Sequence, residues 1–374
     1  MSALEKLRAA APVMREDLAG LVAVESPSSD LDALARCADV VAELGRRCTG
    51  LAPERVVVAD RPQLRWRFGG GPARVVLVGH FDTVWPVGTL ARWPFTVDGA
   101  RCTGPGVVDM KGGLVVLFHA LAALAEAGDL DGVAVVCNSD EEIGSPASQA
   151  LIEDTAAGAA GALILEGSAG GRLKIARKGI AHYALNVTGR ASHAGVAPHL
   201  GINAGIELAH QVLRIAQLGA PPGTTVTPTD STAGTTSNTV PAAARLSIDV
   251  RAFDPAELAR VDAALRDLRP VLPGAQLQVE FGPSRPAMPE SATAATFALA
   301  QRVAAELGLP PVTGEAVGGG SDGNLTAGIG VPTLDGLGVI GGNAHAEGEW
   351  ADLASMPERA ALVAGLVAAI GREP

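Results

Sequence analysis

Five residues far apart in the chain carry ligand chemistry: His80, Asp109, Glu142, Glu166 and His345. Two imidazoles and three carboxylates are one set too many for a single tetrahedral zinc and suit two ions. If Asp109 bridges, His80 and Glu166 complete one site, and Glu142 and His345 the other. Each ion then keeps an open position for a shared water. Two divalent cations balance three carboxylates and one hydroxide, so the cluster is neutral and tolerable when buried.

Each member also has an ordinary reading. His80 and Asp82 lie two apart, so on an extended backbone they share a face, and a carboxylate behind an imidazole fixes its tautomer. The same pair could be a plain strand-end contact. Asp109 stands where a helix N-cap belongs, before Met110. Asp140-Glu141-Glu142 could be a solvated acidic cluster. Adjacent side chains of extended chain point to opposite sides, so if Glu142 holds a metal, Glu141 can stay unligated and act as a base. Glu166 ends an apolar run, where an acid needs a partner or a metal.

The elements that must position these groups are short apolar strands. Arg74–Gly79, Gly132–Cys137 and Ala162–Leu165 read as buried strands, each followed by one of the acidic or imidazole segments. Between the first two, Leu114, Leu117, Phe118, Leu121 and Leu124 form one stripe of a helix from Met110 to Ala127, closed by Gly128. Strand, helix, strand with acids at the strand ends predicts an α/β sheet whose ligands sit beyond the carboxyl ends of its strands.

From about Lys178 to Ser284 the pattern changes. Ala181, Tyr183, Leu185 and Val187 alternate, a helical pattern runs from Ile202 to Leu218, and extended segments follow at Thr224–Thr236 and Ala243–Phe253. Pro255 opens a helix to about Leu268, and a last strand holds Leu277, Val279 and Phe281. The order β-α-β-β-α-β predicts a ferredoxin-like domain inserted into the first. The expected division is 1–176 with 288–374 for the catalytic domain and 177–287 for the insert. The patch at Pro221–Gly223 reads as a loop. The chain then resumes with a helix over Ala292–Leu307, the turn Gly318–Asn324, a strand near Val331–Leu334 and a helix over Met356–Ile370.

Composition narrows the class. Acidic residues outnumber basic ones, 40 to 29, for a net charge of −11, which argues against nucleic-acid binding. Hydrophobic residues at 48% place the chain with globular proteins. No uninterrupted apolar run approaches the roughly 20 residues of a membrane span, and the N-terminal residues lack a signal-peptide layout. Cys37, Cys48, Cys102 and Cys137 are scattered, without a CxxC pair, and read as small core residues of a cytoplasmic protein.

In order along the chain, GHFDTV, GPGVVDMKGG, DEEIGS, LEGS, ASHAG, GGGSDGN and AHAEGE resemble the dizinc exopeptidases. That family includes aminoacylase, acetylornithine deacetylase, succinyl-diaminopimelate desuccinylase and glutamate carboxypeptidase, and the likeness is greatest to the last branch. The resemblance covers nearly the whole chain and implies a mixed-sheet catalytic domain with helices on both faces plus the insert. It implies two Zn2+ (Co2+ or Mn2+ as substitutes), held by His80, Asp109 and Glu166 on one side and Glu142, His345 and the shared Asp109 on the other. Glu141 matches the general base and Asp82 the orienting carboxylate. His193 matches an inserted-domain histidine that reaches a partner subunit's active site in a homodimer. Asn238, Arg251 and Arg285 match polar groups near the substrate, and the Gly319-Gly320-Ser321 turn would line its cleft.

The implied reaction is metal-assisted amide hydrolysis releasing a C-terminal, glutamate-like amino acid. Arg251, Arg285, Arg177 and Lys178 would form a basic pocket for its free carboxylate, although Arg177 and Lys178 read equally well as solvated surface charges. N-acyl-amino-acid deacylation with the same centre is the alternative, and a non-catalytic metal-binding homologue a further one. His119, His182, His199 and His210 match no role and are expected to serve packing or surface.

Overall fold

The computed structural model describes residues 2–220 and 223–372. Pro221 and Pro222, in the patch expected as a loop, lie outside the described residues. The chain divides into two compact units, Met1–Ala176 with Glu290–Val317 and Ser321–Pro374, and Arg177–Pro289 with Gly318–Gly320.

The first unit is organised by a six-stranded mixed sheet. Its order is Glu54–Val58, Arg61–Arg67, Val133–Asn138, Val75–His80, Gly161–Ile164 and Thr333–Leu334. The last four run parallel, and the first two form an antiparallel hairpin at one edge. Val75, Leu77, Val135 and Leu163 face one apolar layer, with Leu114, Leu117, Phe118 and the helix Met356–Arg372. Val76, Val78, Val136 and Ile164 face another, against Leu151, Ile152 and Leu325. Helices thus cover both faces, which is why these strands are continuously apolar rather than alternating. The hairpin was not legible in the sequence. Its outer strand is largely exposed, and its two-residue turn, Ala59-Asp60, takes positive φ (50° and 61°) without a glycine to announce it.

A five-stranded sheet lies in the same unit, in the order Thr96–Asp98, Arg101–Thr103, Trp350–Asp352, Ile340–Gly342 and Ser168–Ala169. These segments are too short to show a hydrophobic period, so the sequence did not reveal them either.

The helix expected from Met110 begins at Gly112 and ends at Ala127, with Gly128 in the left-handed region as its C-cap. Asp109 and Met110 have non-helical dihedrals, and their peptide is cis. The segments Val107–Ala127 and Leu353–Arg372, each interrupted by charged residues, are long and apolar enough to cross a membrane by length and composition. Their apolar windows are 83% and 67% buried, so their side chains are spent on the protein's own core.

The second unit is an antiparallel sheet of Gly179–Thr188, Thr225–Ala233, Ala243–Ala252 and Gln276–Arg285, with helices Ala204–Ala216 and Pro255–Arg266. Counted along the chain, the spatial order is fourth, first, third, second, the ferredoxin-like arrangement. Ala181, Tyr183, Leu185, Val187, Leu246, Ile248 and Val250 form its buried face with Leu208, Ile215, Val261 and Leu265. Asn203 and Asp254 cap the two helices through their side chains. Phe281 lies in the expected last strand, Gln276–Arg285. It is 54% exposed on the outermost strand, edge-on to Tyr183 at 5.4 Å, next to a register shift in the ladder.

Candidate metal centre

The strands carrying His80, Asn138 and Ile164 are neighbours and parallel, so their carboxyl ends open on one side. His80 is directly opposite Asn138 in register. The residues just past the three strand ends therefore lie together: His80 to Asp82, Asp140 to Glu142, and Glu166. The five-stranded sheet brings in the rest. Pairing of Trp350 with Thr103 joins the His345 loop to the segment leading to Asp109, and pairing of Ile340 with Ser168 joins it to the residues after Glu166.

Two groups of ligand atoms result, each with all atoms within 4.8 Å of one another: His80, Asp109 and Glu166, and Asp109, Glu142 and His345. His80 Nε2 lies 3.2 Å from Asp109 Oδ1 and 3.6 Å from Glu166 Oε1. His345 Nε2 lies 3.2 Å from Asp109 Oδ2 and 3.0 Å from Glu142 Oε2. Asp109 thus turns one oxygen to each group. Glu141 belongs to neither.

The donor set fits divalent cations. His80 Nδ1 sits 3.0 Å from the Asp82 carbonyl and 3.3 Å from Asp82 Oδ1, so it carries the ring proton and leaves the Nε2 lone pair facing carboxylate oxygens. His80 Nε2 and Glu142 Oε1 are buried without a hydrogen bond. Lone pairs turned inward on one another call for positive charge. Burial works against an imidazolium at His80, but Asp109, Asp82 and Glu166 outweigh it and raise its pKa well above the ordinary value. Asp109 and Glu142 push His345 up to about 11. Burial would raise Asp109, yet His345 and His80 hold it below the usual carboxylate range. Glu142 is raised, chiefly by burial. In place of protons, metal ions meet the same demand.

Two local expectations are corrected. Asp109 is not a helix cap: the helix starts three residues later without a side-chain cap, because the carboxylate is drawn to the two imidazoles. Glu141 and Glu142 do not lie on extended chain but in a 3-10 turn, Glu141–Ile143. The turn is imposed by two buried acids. Asp140 Oδ2 accepts the N–H groups of Ala147 and Ser148, while Asp82 accepts those of Glu141 and Glu142, both at 3.2 Å. Asp140 is therefore a buried structural acid, not part of a solvated cluster.

Sequence reasoning missed Glu349, fully buried behind Asp109, and Ser28, whose hydroxyl donates to Asp82 Oδ2 at 2.7 Å. For Glu349 the only available signal was its position four residues after His345. His345 itself adopts φ +63°, a left-handed conformation uncommon outside glycine, and its side chain is 54% exposed against 1% for His80.

The remaining expected residues belong to the second unit. His193 is exposed, and its Nδ1 accepts the N–H groups of Gly195 and Val196, both at 3.1 Å. The Ala194 N–H donates to the carbonyl of Asn238, also exposed, at 2.9 Å. Arg251 is committed to Asp249 through Nε and Nη2, at 2.9 and 3.2 Å. Arg177, Lys178 and Arg285 are buried, so the surface-charge reading of the first two fails. Arg177 Nη1 donates to the carbonyls of Gly319 and Gly320 at 3.1 and 3.3 Å. His119, expected to be a packing residue, is buried against Asp17 at 2.8 Å.

Residues 76–369 match Peptidase family M20/M25/M40. The chain is 33% identical over 378 residues to carboxypeptidase G2 of Pseudomonas sp. (strain RS-16), covering 96% of this chain and 90% of that one. It is 32% identical over 282 residues to a succinyl-diaminopimelate desuccinylase of Methylobacterium sp. (strain 4-46), covering 64% and 70%. The aminopeptidase PepT structure from Bacillus cereus superposes with a TM-score of 0.71 at 21% identity, covering 96% of this chain and 98% of that one. A metal-ready acid and imidazole centre, a ferredoxin-like second unit and a match over most of the length agree: the chain belongs to peptidase family M20/M25/M40 and is a metallopeptidase-type hydrolase.

Proposed function

We propose that this enzyme is a carboxypeptidase-type amidohydrolase that releases a C-terminal, glutamate-like amino acid at a two-zinc centre, with Glu141 as general base. The observation that carries the reading is Asp109, whose two oxygens each face a different imidazole at 3.2 Å. The likeness to a carboxypeptidase over nearly the full length supports the substrate class.

His80, Asp109 and Glu166 would hold one ion, and Asp109, Glu142 and His345 the other. When bound, such a pair supplies an acidified water and Lewis-acid polarisation of a carbonyl. Glu141 takes the proton of the attacking water and returns it to the nitrogen of the breaking amide bond. Asp82 holds the Glu141 backbone and the His80 tautomer together. Because His193 Nδ1 is an acceptor, the neutral ring carries its proton on Nε2, which would donate to the tetrahedral oxyanion. His193 would serve a partner subunit in a homodimer formed through the second unit. Asn238, Arg285 and the carbonyl-lined turn at Gly320 would position the substrate. Arg251 would contribute through Nη1, which here donates to the Gly318 carbonyl at 3.4 Å while Nε and Nη2 hold Asp249.

A second reading, N-acyl-amino-acid deacylation, is favoured by the likeness to a desuccinylase. Zinc-loaded enzyme assayed on N-blocked dipeptides ending in glutamate, on their C-terminal amides and on acetyl-amino acids separates the two. Hydrolysis of the acids with loss on amidation supports the carboxypeptidase; preference for acetyl-amino acids overturns it in favour of deacylation.

A further inference from the structure

We propose that Glu349 is a positioning residue for the metal centre, the clamp that sets how Asp109 divides its oxygens between the two groups; this rests on the two-metal reading of the site. Glu349 is fully buried. Its Oε1 accepts the N–H groups of Val108 and Asp109 at 2.8 and 3.1 Å. Its Oε2 accepts the Gly106 N–H at 2.9 Å and the Trp85 indole N–H at 3.0 Å. One carboxylate thus gathers three backbone donors from the four residues ending at Asp109.

That segment has no regular ladder to hold it. Gly106 is left-handed, and Asp109 and Met110 are neither helix nor strand. Without Glu349 its donors would be buried and unpaired, which the segment could relieve only by moving. Any such movement changes both groups at once, because Asp109 is their one shared member. The strand pairing of Trp350 with Thr103 delivers Glu349 to the segment, and His345, four residues earlier, rides on the same chain. The carboxylate therefore couples the loop of one ligand to the backbone of another. Trp85, packed edge-on to Trp93 at 5.0 Å, ties the segment after Asp82 to the same anchor.

The test is titration of metal-free protein with Zn2+ by calorimetry, with the visible spectrum of the Co2+ form as a second readout. In Glu349→Gln, an NH2 group replaces an oxygen that faces two donors. Both binding steps are expected to weaken, by roughly 10- to 100-fold, with altered Co2+ bands. Glu207→Gln is the control for plain destabilisation. Glu207 is equally buried and accepts the N–H groups of Val271 and Leu272 in the second unit. It should lower thermal stability and leave metal affinity unchanged. Wild-type affinities and spectrum in folded Glu349→Gln overturn the proposal, as does equal weakening in Glu207→Gln. If Glu349→Gln does not fold, Trp85→Phe decides, since it removes one donor only: a smaller loss of affinity supports the clamp, and none overturns it. Failure of the wild type to take up two ions is a separate result that defeats the two-metal reading.

Discussion

The carboxylate of Asp82 accepts the backbone N–H of Glu142 at 3.2 Å, although the two residues follow different strands. The same carboxylate accepts the N–H of Glu141 and the Ser28 hydroxyl, and faces His80 Nδ1. One buried acid therefore sets a ligand, a second ligand's backbone and the backbone of the proposed base.

Asp82→Asn should disturb all three. An amide nitrogen in place of either oxygen confronts N–H or O–H donors. Zinc affinity should fall by roughly 10- to 100-fold, the usual cost of losing a partner behind a ligand. Calorimetric titration measures it, and unchanged affinity contradicts the role drawn for Asp82.

Glu141→Ala should separate chemistry from binding. Because Glu141 belongs to neither ligand group, the variant should keep its full complement of metal. Turnover should fall by roughly 10²- to 10⁴-fold, as for removal of a general base. Metal analysis and kcat measured on the same preparation check both halves.

Metal uptake should release protons. His345 is raised to about 11 and His80 is raised from its ordinary value, in both cases by the neighbouring carboxylates, so protons compete with metal ions for the two rings. A raised imidazole keeps its proton below its folded-state pKa, and a metal ion must expel it. Affinity should therefore rise with pH across the neutral range, with up to about two protons released per centre. Calorimetry in buffers of different ionisation enthalpy counts them, and zero release refutes the assignment.

The two groups should exchange metal at different rates. His345 is 54% exposed, whereas His80 is 1% exposed. A chelator should strip the Glu142 and His345 side first, giving a two-phase loss of Co2+ absorbance. His345→Ala should leave only the slow phase.

Gly113→Ala should couple packing to the centre. A Cβ there would run into the carbonyl of Leu165, immediately before Glu166. The overpacking should cost about 1–3 kcal/mol in chemical denaturation, and zinc affinity should fall with it as Glu166 is displaced. A variant as stable as wild type contradicts this account of the close approach.

Much of the architecture was written in local pattern. The continuous apolar strands before His80, Asp140 and Glu166 could only be buried on both faces, and the insert's alternating strands and capped helices spelled out their own order. The ligand residues were legible as a set of chemical types, although each taken singly also had an ordinary reading. Other features were not local. The 3-10 turn of Glu141 and Glu142 exists because Asp82, some sixty positions away, accepts its N–H groups, and no propensity of the acidic run foretells that. Glu349 read as one more glutamate because its donors come from residues 240 positions earlier. Residue type, spacing and hydrophobic period thus determined which elements form and which side chains could bind metal. The tertiary structure alone decided which oxygen faces which imidazole, since that depends on buried hydrogen bonds between segments brought together only when the sheets assemble.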